Sequence, residues 1–178
     1  MAVMTTSAAP PQHGGESALE VAERIERVLA AKTRSGKSYD QLAGELGVTN
    51  TYAAQLLLGQ AQLRPETRLK LEAAISGLDA ADLFAMTACP MRSFDPAVLQ
   101  EPLVYRFYEA ITHYSRAIKL IVNEQCGDGI MSAIDFYLDV GTSTGVNGEK
   151  RVVVTMNGKF LPHIEQRAAN NMCPSPRD

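Results

Sequence analysis

Apolar positions change their spacing along the chain, and the changes divide it. Leu19, Ala22, Ile25 and Leu29 return at three- and four-residue steps, which predicts a helix beginning near Ser17 and broken over residues 33–37. Ser38 followed three residues later by Gln41 reads as a capping box, in which each side chain satisfies a backbone amide of the other residue. The helix it opens is predicted to reach Leu46 and to stop at Gly47, a suitable left-handed position. A further short helix is predicted from about Thr49 through Leu58 to Gly59. Pro65 suits the first residue of another helix, to about Ser76. Asp79 is expected to cap one more, which ends before Pro90.

A linker follows, with Pro90, Phe94, Asp95 and Pro96. Pro102 then opens a long helix, predicted to about residue 124. On it Leu103, Phe107, Ala110, Tyr114, Ala117 and Ile121 form a single stripe, expected to be buried. Residues 127–129 (GDG) stop the helix, and the period switches to two. Ile130, Ser132, Ile134, Phe136, Leu138 and Val140 share one strand face, and Ser132 is its one polar member. Residues 141–150 read as a flexible connection and residues 151–156 as a second strand. Asn157 and Gly158 read as a hairpin-type turn, and from Gln166 onward the chain reads as a disordered tail. So few strands cannot bury both faces. The long helix is expected to cover one side, and another copy of the chain the other side and the edges.

Composition narrows the function classes. The net charge is -3, whereas proteins that live on phosphate backbones are usually basic. This matters because the short helices between residues 38 and 59 resemble a helix-turn-helix. Residues 49–58, where a recognition helix would lie, contain no Lys or Arg. A packing or assembly module is therefore favoured over a DNA-binding regulator, which stands as the alternative. Cys89, Cys126 and Cys173 are scattered and odd in number, so neither a disulfide framework nor a zinc site is read from them. Residues 1–16 hold no basic residue and no apolar run, as neither a signal nor a transit peptide would. No stretch is apolar enough for a membrane helix. A cytoplasmic location is expected.

The candidate chemistry lies in the second half. Arg106, Glu109 and His113 form a stripe beside the apolar one, about 60–80° from its centre for Arg106 and His113. Arg106 and Glu109 can make an ordinary surface ion pair worth a few tenths of a kcal/mol. At the edge of a buried face they can equally be partly desolvated and hold an anion. His113 reads as a packed or surface histidine. A buried Ser132 hydroxyl needs a partner, which can be a backbone group, a water or a ligand.

The segments YRFYE, GDGIMSAIDFYLDV and KRVVVTMNGKFLP resemble the C-terminal domain of the cyanases, also called cyanate hydratases or cyanate lyases. LAGELGV and LLLGQ look like that family's helical domain, so the likeness runs over about residues 17–164. The resemblance implies bicarbonate-dependent decomposition of cyanate to ammonia and carbon dioxide by a lyase, with bicarbonate as co-substrate. It implies no metal and no organic cofactor. It also implies a helix-turn-helix-like domain that binds no nucleic acid, and a homodimer assembling to a homodecamer. Arg106, Glu109 and Ser132 fall on the family's catalytic Arg, Glu and Ser. The expected fold class is α+β: an N-terminal all-helical bundle resembling a helix-turn-helix domain, then a long helix and short β-strands forming an intertwined dimer. The expected division is a tail at 1–16, a helical domain at 17–89, a linker at 90–101, a catalytic and dimerisation domain at 102–164, and a second tail at 165–178.

Overall fold

The computed structural model describes residues 16–92 and 94–170. The tail expected at 1–16 thus lies outside the described residues except for Glu16, as does the C-terminal tail beyond Asn170. Within the part of that tail described, Ala168–Asn170 forms a 3-10 turn. The chain divides into two compact units. One holds the described residues up to Phe94 together with Tyr137–Met156, and the other holds Asp95–Phe136 together with the described residues from Asn157 on.

The first unit is built on five helices: α1 (Ala18–Arg34), α2 (Tyr39–Leu46), α3 (Asn50–Leu57), α4 (Pro65–Ala74) and α5 (Ala80–Ala85). Their starts are set locally. Ser17 and Ser38 each form a complete capping box, with Glu20 and Gln41 respectively. Thr49 and Asp79 accept from the amides of Tyr52 and Ala81, and Pro65 opens α4. Gly47 ends α2 at φ 76, a backbone state that costs a glycine little. The apolar faces meet in one core containing Val28, Leu42, Leu56, Leu63, Leu71, Ile75 and Leu83. Full burial of each such side chain contributes about 1.5–3 kcal/mol before the entropic cost of ordering is set against it. One buried carboxylate, Asp82, is met by both fork donors of Arg27, Nε at 3.0 Å and Nη2 at 2.7 Å, which tie α5 to α1.

The second unit opens with a 3-10 turn at Pro96–Gln100, in what reads from sequence as a plain linker, and with α6 (Pro102–Cys126). A two-stranded antiparallel sheet follows, β1 (Gly129–Thr144) and β2 (Lys150–Pro162). The base of this hairpin belongs with α6 and its tip with the first unit. Lys119 Nζ reaches Asp128 Oδ1 and the Gly129 carbonyl, each at 3.2 Å, and so fastens α6 to the start of β1.

Three expectations change here. Residues 141–144 continue β1 rather than form a loose connection, and the hairpin turns over residues 145–149, where the Gly145 amide donates to the Glu149 carbonyl at 2.8 Å. Asn157 and Gly158 do not turn the chain; they lie inside β2. Gly158 is there because of close approach: an added Cβ would collide with the Ser132 carbonyl oxygen and Met131 Cγ on the neighbouring strand. The third change concerns the apolar stripe of α6. No residue of α6 is buried in the single chain, and Leu103, Phe107, Tyr114 and Ile121 are all exposed. The principal packing neighbour of α6 in its own chain is the short 3-10 turn, which is too small to cover the face.

Replacing Gly158 with Ala is expected to destabilise the protein by about 1–3 kcal/mol, since the colliding atoms include backbone that cannot swing away. Urea unfolding at fixed protein concentration measures this, and an unchanged midpoint would show that the strands relax.

Candidate active site

Arg106 and Glu109 stand one turn apart near the start of α6, because helical geometry brings residues three apart onto one face. Arg106 Nη1 donates to Glu109 Oε2 at 2.5 Å. The side chains are 69% and 51% exposed in the single chain, so by itself the pair adds little stability. Its effect is on charge and direction. The hydrogen bond to Glu109, and then that carboxylate's charge, hold the Arg106 guanidinium pKa above its ordinary value. Arg106 therefore stays cationic at any working pH. The Tyr105 ring lies 5.6 Å from the guanidinium carbon, within cation–π range. His113 packs edge-on against Tyr114 at 5.0 Å between ring centres, as the plainer reading of that residue expects.

Ser132 is the one buried polar residue on the hairpin, 7% exposed. Its Oγ accepts from the amides of Ile134 at 3.1 Å and Asp135 at 3.0 Å. These two amides thus point back to the side chain that precedes them on the same strand. This cradle coincides with a lapse in the period of two: Ile134, expected on the Ser132 face, is 97% exposed, whereas half-buried Phe136 and Leu138 restore the alternation. It also has a chemical consequence. With both lone pairs of Oγ occupied, the hydroxyl proton is the part left to donate, and two N–H dipoles aimed at the oxygen make it a stronger donor.

The structure thus joins Arg106 to Glu109 and gives Ser132 its own backbone cradle. Among the described residues no hydrogen bond links Ser132 to either of the other two. Nor does any group of three or more His, Cys, Asp or Glu among them stand ready to hold a metal ion. No helix among them is long and apolar enough to cross a membrane.

The chain is similar to known proteins. A family model described as the cyanate lyase C-terminal domain matches residues 96–165, which hold Arg106, Glu109 and Ser132. Over 158 residues the chain is 65% identical to cyanate hydratase of Phaeodactylum tricornutum, covering 88% of this chain and 82% of that one. The chain belongs to the cyanate hydratase family. Cyanate hydratase of Arabidopsis thaliana is 52% identical over 144 residues, covering 81% of this chain and 86% of the relative. The crystal structure of cyanase from T. urticae superposes with a TM-score of 0.69 at 30% identity, covering 79% of this chain and 98% of that one. The fold class is α+β, as the cyanate hydratase resemblance implies.

The first unit also bears on the alternative reading as a DNA-binding regulator. Asn50 Nδ2 donates to the Val140 carbonyl at 2.7 Å, and Asn50 Oδ1 accepts the Val140 amide at 3.2 Å. Thr51 Oγ1 donates to the Leu138 carbonyl. The start of α3, where a recognition helix would read base edges, is occupied by the hairpin tip. No sequence signal pointed to this contact, because it joins residues about ninety positions apart. The anchoring role of Lys119 was equally silent, since a lone lysine on a helix carries no pattern.

Ser132→Ala is expected to cost about 1 kcal/mol of stability, because two strand amides lose their acceptor. Equilibrium unfolding of the purified variant tests this, and unchanged stability would mean that the amides find another partner.

Proposed function

We propose that this protein decomposes cyanate with bicarbonate, releasing ammonia and carbon dioxide, and that Arg106, Glu109 and Ser132 carry the reaction. The observation behind this reading is the pairing of a permanently cationic Arg106 with Glu109 inside the stretch that matches the cyanate lyase C-terminal domain.

The chemistry accounts for the residue types. Cyanate and bicarbonate are both monoanions, and two unit charges 4 Å apart repel by about 1 kcal/mol in water and about 4 kcal/mol in a site of intermediate polarity. A site that brings them together must supply positive charge first. In the proposed sequence a bicarbonate oxygen attacks the cyanate carbon and gives a dianion. The bicarbonate hydroxyl proton passes to the cyanate nitrogen as the bond between that oxygen and the bicarbonate carbon breaks, carbon dioxide leaves, and uptake of one further proton gives carbamate. Carbamate takes up a second proton and falls apart to ammonia and a second carbon dioxide. The dianion concentrates more charge than either reactant, so fixed donors aimed at it stabilise the transition state more than the ground state. Arg106 is the main donor, its planar fork suited to oxyanions. Ser132 is a neutral second donor through the proton its cradle leaves free. Glu109 holds the Arg106 fork in place, with proton relay as a secondary role. No metal or organic cofactor enters the scheme.

We further propose that the site is shared between copies of the chain, as a homodimer that assembles to a homodecamer. Chain geometry supports this. Arg106 to Cys126 is twenty helical steps, or about 30 Å. The six residues from Cys126 to Ser132 span at most about 21 Å. The difference leaves the Cα atoms of Arg106 and Ser132 in one chain at least about 9 Å apart, even with β1 folded straight back along α6. A second copy laid on the exposed stripe of α6 would cover it and could bring its own Ser132 to Arg106. We assign the reaction to the cytosol, where the free thiols of Cys89 and Cys126 would stay reduced.

Purified protein is expected to release ammonia from cyanate only when bicarbonate is present, and no bicarbonate dependence would overturn the mechanism. Arg106→Ala is expected to lower kcat about a hundredfold or more. Mixed oligomers of Arg106→Ala and Ser132→Ala chains, isolated through two different tags, are expected to recover part of the activity. Mixed oligomers as inactive as either parent would exclude a shared site.

A further inference from the structure

The helical unit contains a cavity that the reaction does not use. It measures about 690 Å³ and lies between the first half of α1 and residues 59–61 and 85–91, with Val21, Ile25, Ala61 and Met86 among its mainly apolar lining. That volume falls in the range of small-molecule sites. Arg24 also lines it, and this arginine is 4% exposed.

The hydrogen bonding of Arg24 is incomplete. Its Nη2 donates to Glu16 Oε2 at 3.0 Å, whereas its Nε meets no acceptor among the described residues. Nε and Nη2 form one edge of the guanidinium, the edge that takes both oxygens of a carboxylate. Arg27, one turn further along α1, shows the complete arrangement, with Nε and Nη2 both on the Asp82 carboxylate. Arg24 therefore carries a buried cation with half of its carboxylate fork filled, beside an apolar space. Leaving a buried charged donor unsatisfied is costly, and the groups that correct it are negative. Glu16 is tied to it by one oxygen, lies just ahead of α1 and keeps 30% of its side chain exposed, so it is a displaceable partner.

We infer that this cavity binds an aliphatic monocarboxylate, whose head group displaces Glu16 and takes both Nε–H and Nη2–H of Arg24 while its chain lies along Val21, Ile25, Ala61 and Met86. Charge complementarity selects the carboxylate, and the apolar lining selects the hydrocarbon. A medium-length hydrocarbon chain fits within a space of this volume. The site is separate from Arg106, Glu109 and Ser132 and does not depend on the reading of their chemistry.

Isothermal titration of the full-length protein with sodium decanoate tests the inference, with decan-1-ol as the neutral counterpart. Saturable binding of one decanoate per chain is expected, with decan-1-ol at least tenfold weaker. Glu16→Gln removes the competing carboxylate and is expected to tighten decanoate binding, and Arg24→Met is expected to weaken it at least tenfold. Should Arg24→Met fail to fold, as judged by circular dichroism, the Glu16→Gln and decan-1-ol arms still decide. Absence of saturable binding, equal affinity for the alcohol, or weaker binding by Glu16→Gln would each overturn the inference.

Discussion

Helix α6 is a stiff rod of 25 residues, about 37 Å long, and its stiffness constrains most of what surrounds it. A flexible segment could fold back and bring an arginine near its start to a serine shortly after its end. A helix with continuous backbone hydrogen bonds cannot. Arg106 is therefore carried far from the turn that leads to Ser132, and an apolar face is held out with no cover in its own chain. That face gives the proposed association its driving force, since several half-exposed aromatic and aliphatic side chains stand to be removed from water.

The charge balance of the proposed site follows a similar economy of parts. One guanidinium per chain is little for two anions, and Glu109 takes up part of its charge. What Glu109 returns is direction, because a long exposed arginine would otherwise spread over many rotamers. Ser132 is constrained in a different way. Its oxygen is held by two amides of its own strand, so its position is set by backbone rather than by a side-chain partner. An ordering of donors before the substrates arrive is what electrostatic catalysis requires. Beside the cradle the alternation of the strand lapses at Ile134 and returns at Phe136 and Leu138.

The helical unit keeps the caps and the turn glycine expected between residues 38 and 59, and the first residues of α3 are bonded to strand backbone. Those strand groups lie at the tip of the hairpin whose base carries Ser132. Helices α1 and α5 are joined by a fully paired Arg27–Asp82 bridge, whereas Arg24 on the same helix is half paired beside a cavity. Two arginines one turn apart thus differ in what they still have to offer, and the difference lies in their neighbours rather than in the helix that carries them.

The sequence by itself determined the features that are local in the chain. The helix start near Ser17, the capping box at Ser38, the stops at Gly47 and Gly127, the proline starts at 65 and 102 and the change to strand period after residue 129 each depend on residues within a few positions of one another. The residue types proposed for the chemistry were legible for the same reason, since Arg106 and Glu109 are one turn apart and Ser132 interrupts an apolar run. Only the tertiary structure decided where the hairpin turns, because Gly158 is required by an approach of Ser132 from the other strand rather than by a turn of its own. It alone decided that the α6 stripe is uncovered by the described residues, that Asn50 and Thr51 are taken up by the hairpin tip, and that Arg24 is buried with a donor that meets no acceptor among the described residues. Periodicity states which side chains share a face. What that face meets depends on contacts between distant residues, and those have no spacing to read.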